Sequence, residues 1–91
     1  KPVGTKQLSG PPDLIAEVLS PSTAHVDKRS KFHLYQQYGV REYWLVDPRD
    51  QLIEVWQLNE GRFIRLDVFG VNETFLSALI GEVNVNAIFA S

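Results

Sequence analysis

Glu17, Lys31 and Tyr35 are of types and spacing that could do chemistry, and Asp13 and Asp27 stand close to them in the chain. Asp13 and Glu17 lie in DLIAEVL, where extended geometry puts Asp13, Ile15, Glu17 and Leu19 on one face and Leu14, Ala16 and Val18 on the other. A glutamate inside an apolar run has to be paired, protonated, metal-bound or at the mouth of a sheet, because burying it alone is costly. The two carboxylates are four residues apart, roughly 13 Å along a strand, which is too far to share one ion unless another element intervenes. Lys31 comes from the next, helical stretch, in which Asp27, Lys31 and Tyr35 recur every four residues as one stripe. If that helix crosses the face carrying Glu17, the ammonium reaches the carboxylate. A lysine there can orient or help deprotonate water, or stabilise charge developing on a scissile phosphate. The same residues can equally form a partly buried salt bridge without chemistry, and Asp27 with Lys31 a surface pair.

Positioning these groups requires a strand, a helix and a second strand. Gly10-Pro11-Pro12 forces a turn or extended lead-in, and Asp13–Leu19 follows as a near-continuous apolar strand. Ser20-Pro21-Ser22-Thr23 ends it, with Ser22 or Thr23 able to cap a helix that runs to about Tyr38, where Gly39 stops it. Val40–Val46, with Tyr43, Trp44 and Leu45, suits a second interior strand, so a right-handed parallel crossover is expected. Past the Asp47-Pro48-Arg49-Asp50 turn, Leu52–Leu58 and Phe63–Phe69 alternate on either side of Asn59-Glu60-Gly61, as in an antiparallel hairpin. Within its second strand Phe63, Arg65, Asp67 and Phe69 should share one face against Ile64, Leu66 and Val68. Gly70–Asn72 breaks the run, Glu73–Ile80 reads as a short strand or a turn of helix, and Gly81 punctuates it. The tail Asn84–Phe89 suits a short capped helix that docks Ile88 and Phe89. The fold class is α/β at the α+β boundary: a mixed sheet with a strand-helix-strand crossover followed by an antiparallel hairpin.

A chain of 91 residues has room for one domain, with residues 1–9 as an arm or edge strand and 10–89 as the core, and the lack of any methionine suggests a fragment or truncated form. A net charge of −2 gives no global electrostatic reason to bind nucleic acid. Lys28, Arg29, Lys31 and Arg41 nevertheless supply one local basic surface, which reads either as a DNA contact or as a solvated helix face. The absence of cysteine excludes disulfides, thiolate chemistry and cysteine-ligated zinc, and fits a cytoplasmic setting. His25 and His33 are two helical turns apart and cannot chelate one ion from one helix. Trp44 and Trp56 suit sheet packing, with base stacking as the alternative. No apolar run reaches the roughly eighteen residues that span a bilayer, and the first residues lack the apolar core of a signal peptide.

The run GPPDLIAEVLSPST, followed by Asp27, Lys31, Tyr35, Gly39-Val40 and the EYWLVDP segment from Glu42, resembles the C-terminal half of a bacterial family of restriction-endonuclease-like proteins. That family is abundant in cyanobacteria, was formerly a domain of unknown function, and is placed in the PD-(D/E)XK nuclease superfamily. The resemblance implies a restriction-endonuclease-like core lacking its N-terminal part, and a DNA endonuclease dependent on Mg²⁺ or Mn²⁺. Glu17 then matches the glutamate of the (D/E)XK element, Leu19 stands where its lysine usually is, and Lys31 supplies that charge from the helix. Glu17 and Lys31 become the catalytic candidates, Asp13, Asp27 and Tyr35 rim or catalytic candidates, and Lys28, Arg29 and Arg41 DNA contacts. Asp13 is a metal ligand beside Glu17 or, if the family's aspartate lies on a preceding strand, a rim residue. Two alternatives stand beside this one. The chain could be a degenerate, homodimeric binding module with the same fold, or an unrelated interaction domain in which Glu17 and Lys31 are structural.

Overall fold

The computed structural model describes residues 13–19 and 24–90, with the backbone alone for 24–29. The expected arm 1–9 and the turns at 10–12 and 20–23 lie outside the described residues. The elements are β1 (Leu14–Val18), α1 (Ala24–Tyr38), β2 (Glu42–Asp47), β3 (Leu52–Asn59), β4 (Arg62–Phe69), β5 (Thr74–Ser77), β6 (Gly81–Asn84) and α2 (Val85–Phe89). β1 to β4 form one sheet in chain order, and β5 and β6 form a second, two-stranded one. β1 runs parallel to β2, with Glu17 opposite Leu45, so α1 connects two parallel neighbouring strands as a β1-α1-β2 crossover. β2–β3 and β3–β4 are antiparallel. None of the described helices is long and apolar enough to cross a membrane.

Local chemistry accounts for the boundaries. α1 ends where Gly39 takes a φ of +82°, with its N–H donating to the Gln36 carbonyl at 3.2 Å and the Val40 N–H to the Tyr35 carbonyl at 3.0 Å. This is a Schellman termination, which needs a left-handed residue that glycine supplies without strain. Asp47 closes its own turn, Oδ1 accepting from the N–H groups of Arg49 and Asp50. At the β3–β4 hairpin both Glu60 and Gly61 have positive φ, as the two central positions of a type I′ turn demand. Asn84 caps α2 by accepting from the Asn86 N–H at 2.9 Å.

β2 is buried along almost its whole length and separates two cores. On the α1 side Ile15, Tyr43, Leu45 and Phe63 pack with Val40, Phe32, Tyr35 and Trp56. On the other side Trp44, Val46, Ile53 and Val55 are covered by Phe75 and Val83 of the second sheet and by Val85 and Phe89 of α2. The short strand β6 was not foreseen, because only Val83 of its four residues is buried and the pattern is too short to show a period. Ile88 is not a docking residue; it is 38% exposed, and Val85 is fully buried instead.

The alternation in β4 also needs correction. Asp67 pairs with Val55 but Arg65 pairs with Trp56, which leaves Leu66 as an extra residue, a β-bulge. Phe63 therefore faces α1 while Phe69 packs on the opposite core. An open groove of about 750 Å³ lined by Leu66, Phe69, Phe75 and Leu76 lies on that opposite side, across the sheet from Glu17.

Two buried polar groups are unlike each other. Glu42, fully buried, accepts from Trp44 Nε1 at 2.7 Å, from Ser77 Oγ at 3.0 Å and from the Ala78 N–H at 2.8 Å. Tyr43, also fully buried, has a hydroxyl with no hydrogen-bond partner among the described residues. Glu42→Ala strands three donors and should lower the urea-unfolding free energy by about 3 kcal/mol or more, with Glu42→Gln less damaging because it keeps an acceptor. Tyr43→Phe removes an unsatisfied hydroxyl, and the same measurement should show stability unchanged or raised by about 1 kcal/mol.

Candidate active site

Glu17 is the second-last residue of β1 and shares the α1-facing side of the sheet with Ile15. Four-residue spacing on α1 brings Lys31 and Tyr35 over it. Lys31 Nζ lies 3.3 Å from Glu17 Oε1, and the Tyr35 hydroxyl donates to Oε2 at 2.8 Å. The carboxylate is thus held at both oxygens by one helix. Its side chain is 14% exposed and that of Lys31 38%, so the pair sits at a rim rather than inside the core. The contact turns Lys31 to Glu17 and not to solvent, and by geometry alone it suits a structural salt bridge as well as a working pair.

The tyrosines set the local electrostatics. Burial, reinforced by the hydrogen bond to Glu17 and by that carboxylate's charge, pushes the Tyr35 hydroxyl up to about 12 from its ordinary 10.0. Tyr35 is therefore a donor at any physiological pH. The Tyr43 hydroxyl is pushed further up by burial first, then by the charges of Glu17, Tyr35 and Glu54. The Tyr35 and Tyr43 rings meet edge-to-face with centroids 5.2 Å apart, which fixes the direction of the Tyr35 hydroxyl.

Of the other expected residues, Asp13 stands exposed at the start of the sheet with Arg41 NH1 4.0 Å from its Oδ1. Its carbonyl accepts from the N–H groups of both Arg41 and Glu42, so its backbone pins the ends of β1 and β2 together. This exposed pair at the limit of contact leaves the Arg41 guanidinium largely in solvent. The side chains of Asp27, Lys28, Arg29 and His25 lie outside the described residues. Trp44 is core, and Trp56 is half-buried, donating from Nε1 to Glu54 Oε2 at 3.0 Å.

One acidic residue escaped the sequence reading. Glu54 of β3 pairs with Leu45, which pairs with Glu17, so the two glutamates flank Leu45 in one row on the α1 side. Their Cα atoms are two strand spacings apart, roughly 10 Å. Besides Trp56, Glu54 has Arg65 NH1 3.9 Å from Oε2. Parity alone put Glu54 on a face with Trp56; only the interstrand register, which the sequence does not encode locally, aligns it with Glu17.

Carboxylate oxygens are the hard donors that Mg²⁺ prefers, and this ion is commonly held through one or two carboxylates with water and phosphate completing the shell. Glu17 fits as one such ligand. Among the described residues, no three His, Cys, Asp or Glu side chains converge into a metal-holding group.

The family model Uma2, described as "Putative restriction endonuclease", matches residues 2–87. The crystal structure titled as a putative nuclease belonging to DUF820, from Anabaena variabilis ATCC 29413, superposes with a TM-score of 0.65 at 19% identity, over 90% of this chain and 45% of that one. This chain therefore spans less than half the length of that solved protein, and the likeness establishes the shared fold. No curated protein matches the chain. With the family model matching nearly end to end, the chain belongs to the Uma2 family of restriction-endonuclease-like proteins.

Proposed function

We propose that the chain carries the glutamate-lysine half of a Mg²⁺- or Mn²⁺-dependent DNA endonuclease centre of the PD-(D/E)XK type, acting in the cytoplasm. The observation that carries this reading is the carboxylate of Glu17 held at a partly open rim by Lys31 and Tyr35 together. Glu17 would hold the divalent ion, which when bound supplies Lewis-acid activation of water and charge neutralisation at the phosphate. Lys31 carries the one ammonium within reach of that carboxylate among the described residues, and its flexible stem lets it meet a non-bridging phosphate oxygen as charge builds there. Asp13 belongs to the rim: it is exposed, turned to Arg41 and roughly 13 Å along β1 from Glu17. The resemblance implies a further acidic ligand on a preceding strand. Lys28, Arg29 and Arg41 are proposed as the surface that meets the DNA backbone.

The test is nicking of supercoiled plasmid by the product of the complete reading frame with Mg²⁺ or Mn²⁺. Cleavage should be abolished by Glu17→Gln and slowed about 10²–10³-fold by Lys31→Met. Intact plasmid with wild type, or equal nicking by Glu17→Gln, overturns the catalytic reading and leaves a binding module of the same fold. A separate check concerns Tyr35 as a permanent donor. Its folded pKa lies above the unfolded value, so its contribution to stability is full below pH 10.0 and is lost as pH rises toward about 12. Absorbance titration of tyrosinate should show a step near 12 that Tyr35→Phe removes.

A further inference from the structure

The two oxygens of Glu17 are held by partners of different character. Oε2 accepts a hydrogen bond of 2.8 Å from Tyr35, while Oε1 faces Lys31 at 3.3 Å. Tyr35 has little freedom: its ring is wedged against Tyr43, and its carbonyl accepts the Val40 N–H that terminates α1. Lys31 has a long rotatable stem and a side chain 38% exposed. One partner is fixed and the other can leave.

We propose that Tyr35 is a positioning residue that reserves Oε2 of Glu17, so that a divalent cation enters at Oε1 by exchange with the Lys31 ammonium. This rests on the reading of Glu17 as a metal ligand and adds an assignment of labour within the cluster. A carboxylate whose second oxygen is tied to a rigid hydroxyl presents one lone-pair direction to the ion instead of swinging between one- and two-oxygen contact. Hydrogen bonds that orient a metal-binding side chain in this way typically contribute about 10–100-fold to metal affinity. Once displaced from Oε1, the Lys31 ammonium on its flexible, 38% exposed side chain would be free to turn toward phosphate. Tyr43 supplies an internal control. Its ring lies on the same face, beside that of Tyr35, yet its hydroxyl has no hydrogen-bond partner among the described residues.

The experiment is Mn²⁺ binding without DNA, read by the electron paramagnetic resonance of free Mn²⁺ and by titration calorimetry. It compares wild type with Glu17→Gln, Tyr35→Phe, Lys31→Met and Tyr43→Phe, each checked by thermal unfolding. Glu17→Gln should lose binding, Tyr35→Phe should weaken it about 10-fold or more, and Tyr43→Phe should leave it unchanged. Lys31→Met should tighten binding, because a competing charge has left Oε1. A purely structural Tyr35 would move the unfolding midpoint and not the affinity. Wild-type affinity in Tyr35→Phe, alongside lost binding in Glu17→Gln, overturns the positioning role while leaving the metal-ligand reading intact. Weaker binding in Lys31→Met overturns the exchange at Oε1 whether or not the tyrosine variant is stable. Unchanged binding in Glu17→Gln overturns both.

Discussion

The burial of the Glu42 carboxylate is the constraint from which the two-sided architecture follows. A carboxylate cannot leave water without several kcal/mol of compensation, and no cation among the described residues supplies it. Three neutral donors do, one from Trp44 on its own strand and two from the Ser77–Ala78 corner beyond β5. Ser77 in turn accepts from the N–H groups of Leu79 and Ile80, so the corner is shaped by the same hydroxyl that meets the carboxylate. The small second sheet therefore cannot lie loosely on Trp44, Val46, Ile53 and Val55. Its attachment and the dehydration of Glu42 happen together, which makes docking of that layer cooperative.

Glu17 presents the opposite case with the same side chain. Both glutamates sit on adjacent parallel strands amid apolar residues, but Glu42 is sealed beneath a layer and satisfied by fixed dipoles, whereas Glu17 lies at a rim under a movable ammonium and one fixed hydroxyl. A carboxylate whose partners are all immobile is a rivet. One held by a flexible, half-exposed ammonium is partly open to solvent. The sheet keeps them apart by parity: Glu42 points to the face covered by β5 and β6, and Glu17 to the face covered by α1.

Local pattern made much of this legible. Parity in DLIAEVL and four-residue spacing on α1 put Glu17 on one strand face and Lys31 and Tyr35 on one helix stripe, because both periods are properties of the backbone, while the crossing that joins stripe to face is tertiary. Gly39 and Asn84 were readable as caps for the same reason. What escaped depends on registers between distant segments. Glu42 looked like an ordinary polar residue beginning a strand, since its donors at Ser77 and Ala78 are 35 and 36 residues away. Glu54 joins the row of Glu17 only through two ladders. β6 carries one buried side chain, too few for a pattern, and the bulge at Leu66 reversed an alternation that looked regular on paper.

That bulge also decides on which side the sheet accepts company. Among the described residues β4 is paired on one side only, and its outer row of amides and carbonyls is thrown out of phase midway by Leu66. An incoming strand would match it for three or four residues and then lose register, which is how natural edges discourage unwanted β-addition. β1, at the other end of the order, is paired with β2 over Leu14–Val18 with no such interruption. Among the described residues the two ends of the sheet therefore differ, interrupted in register at β4 and regular at β1, and the regular end is the one that carries Glu17.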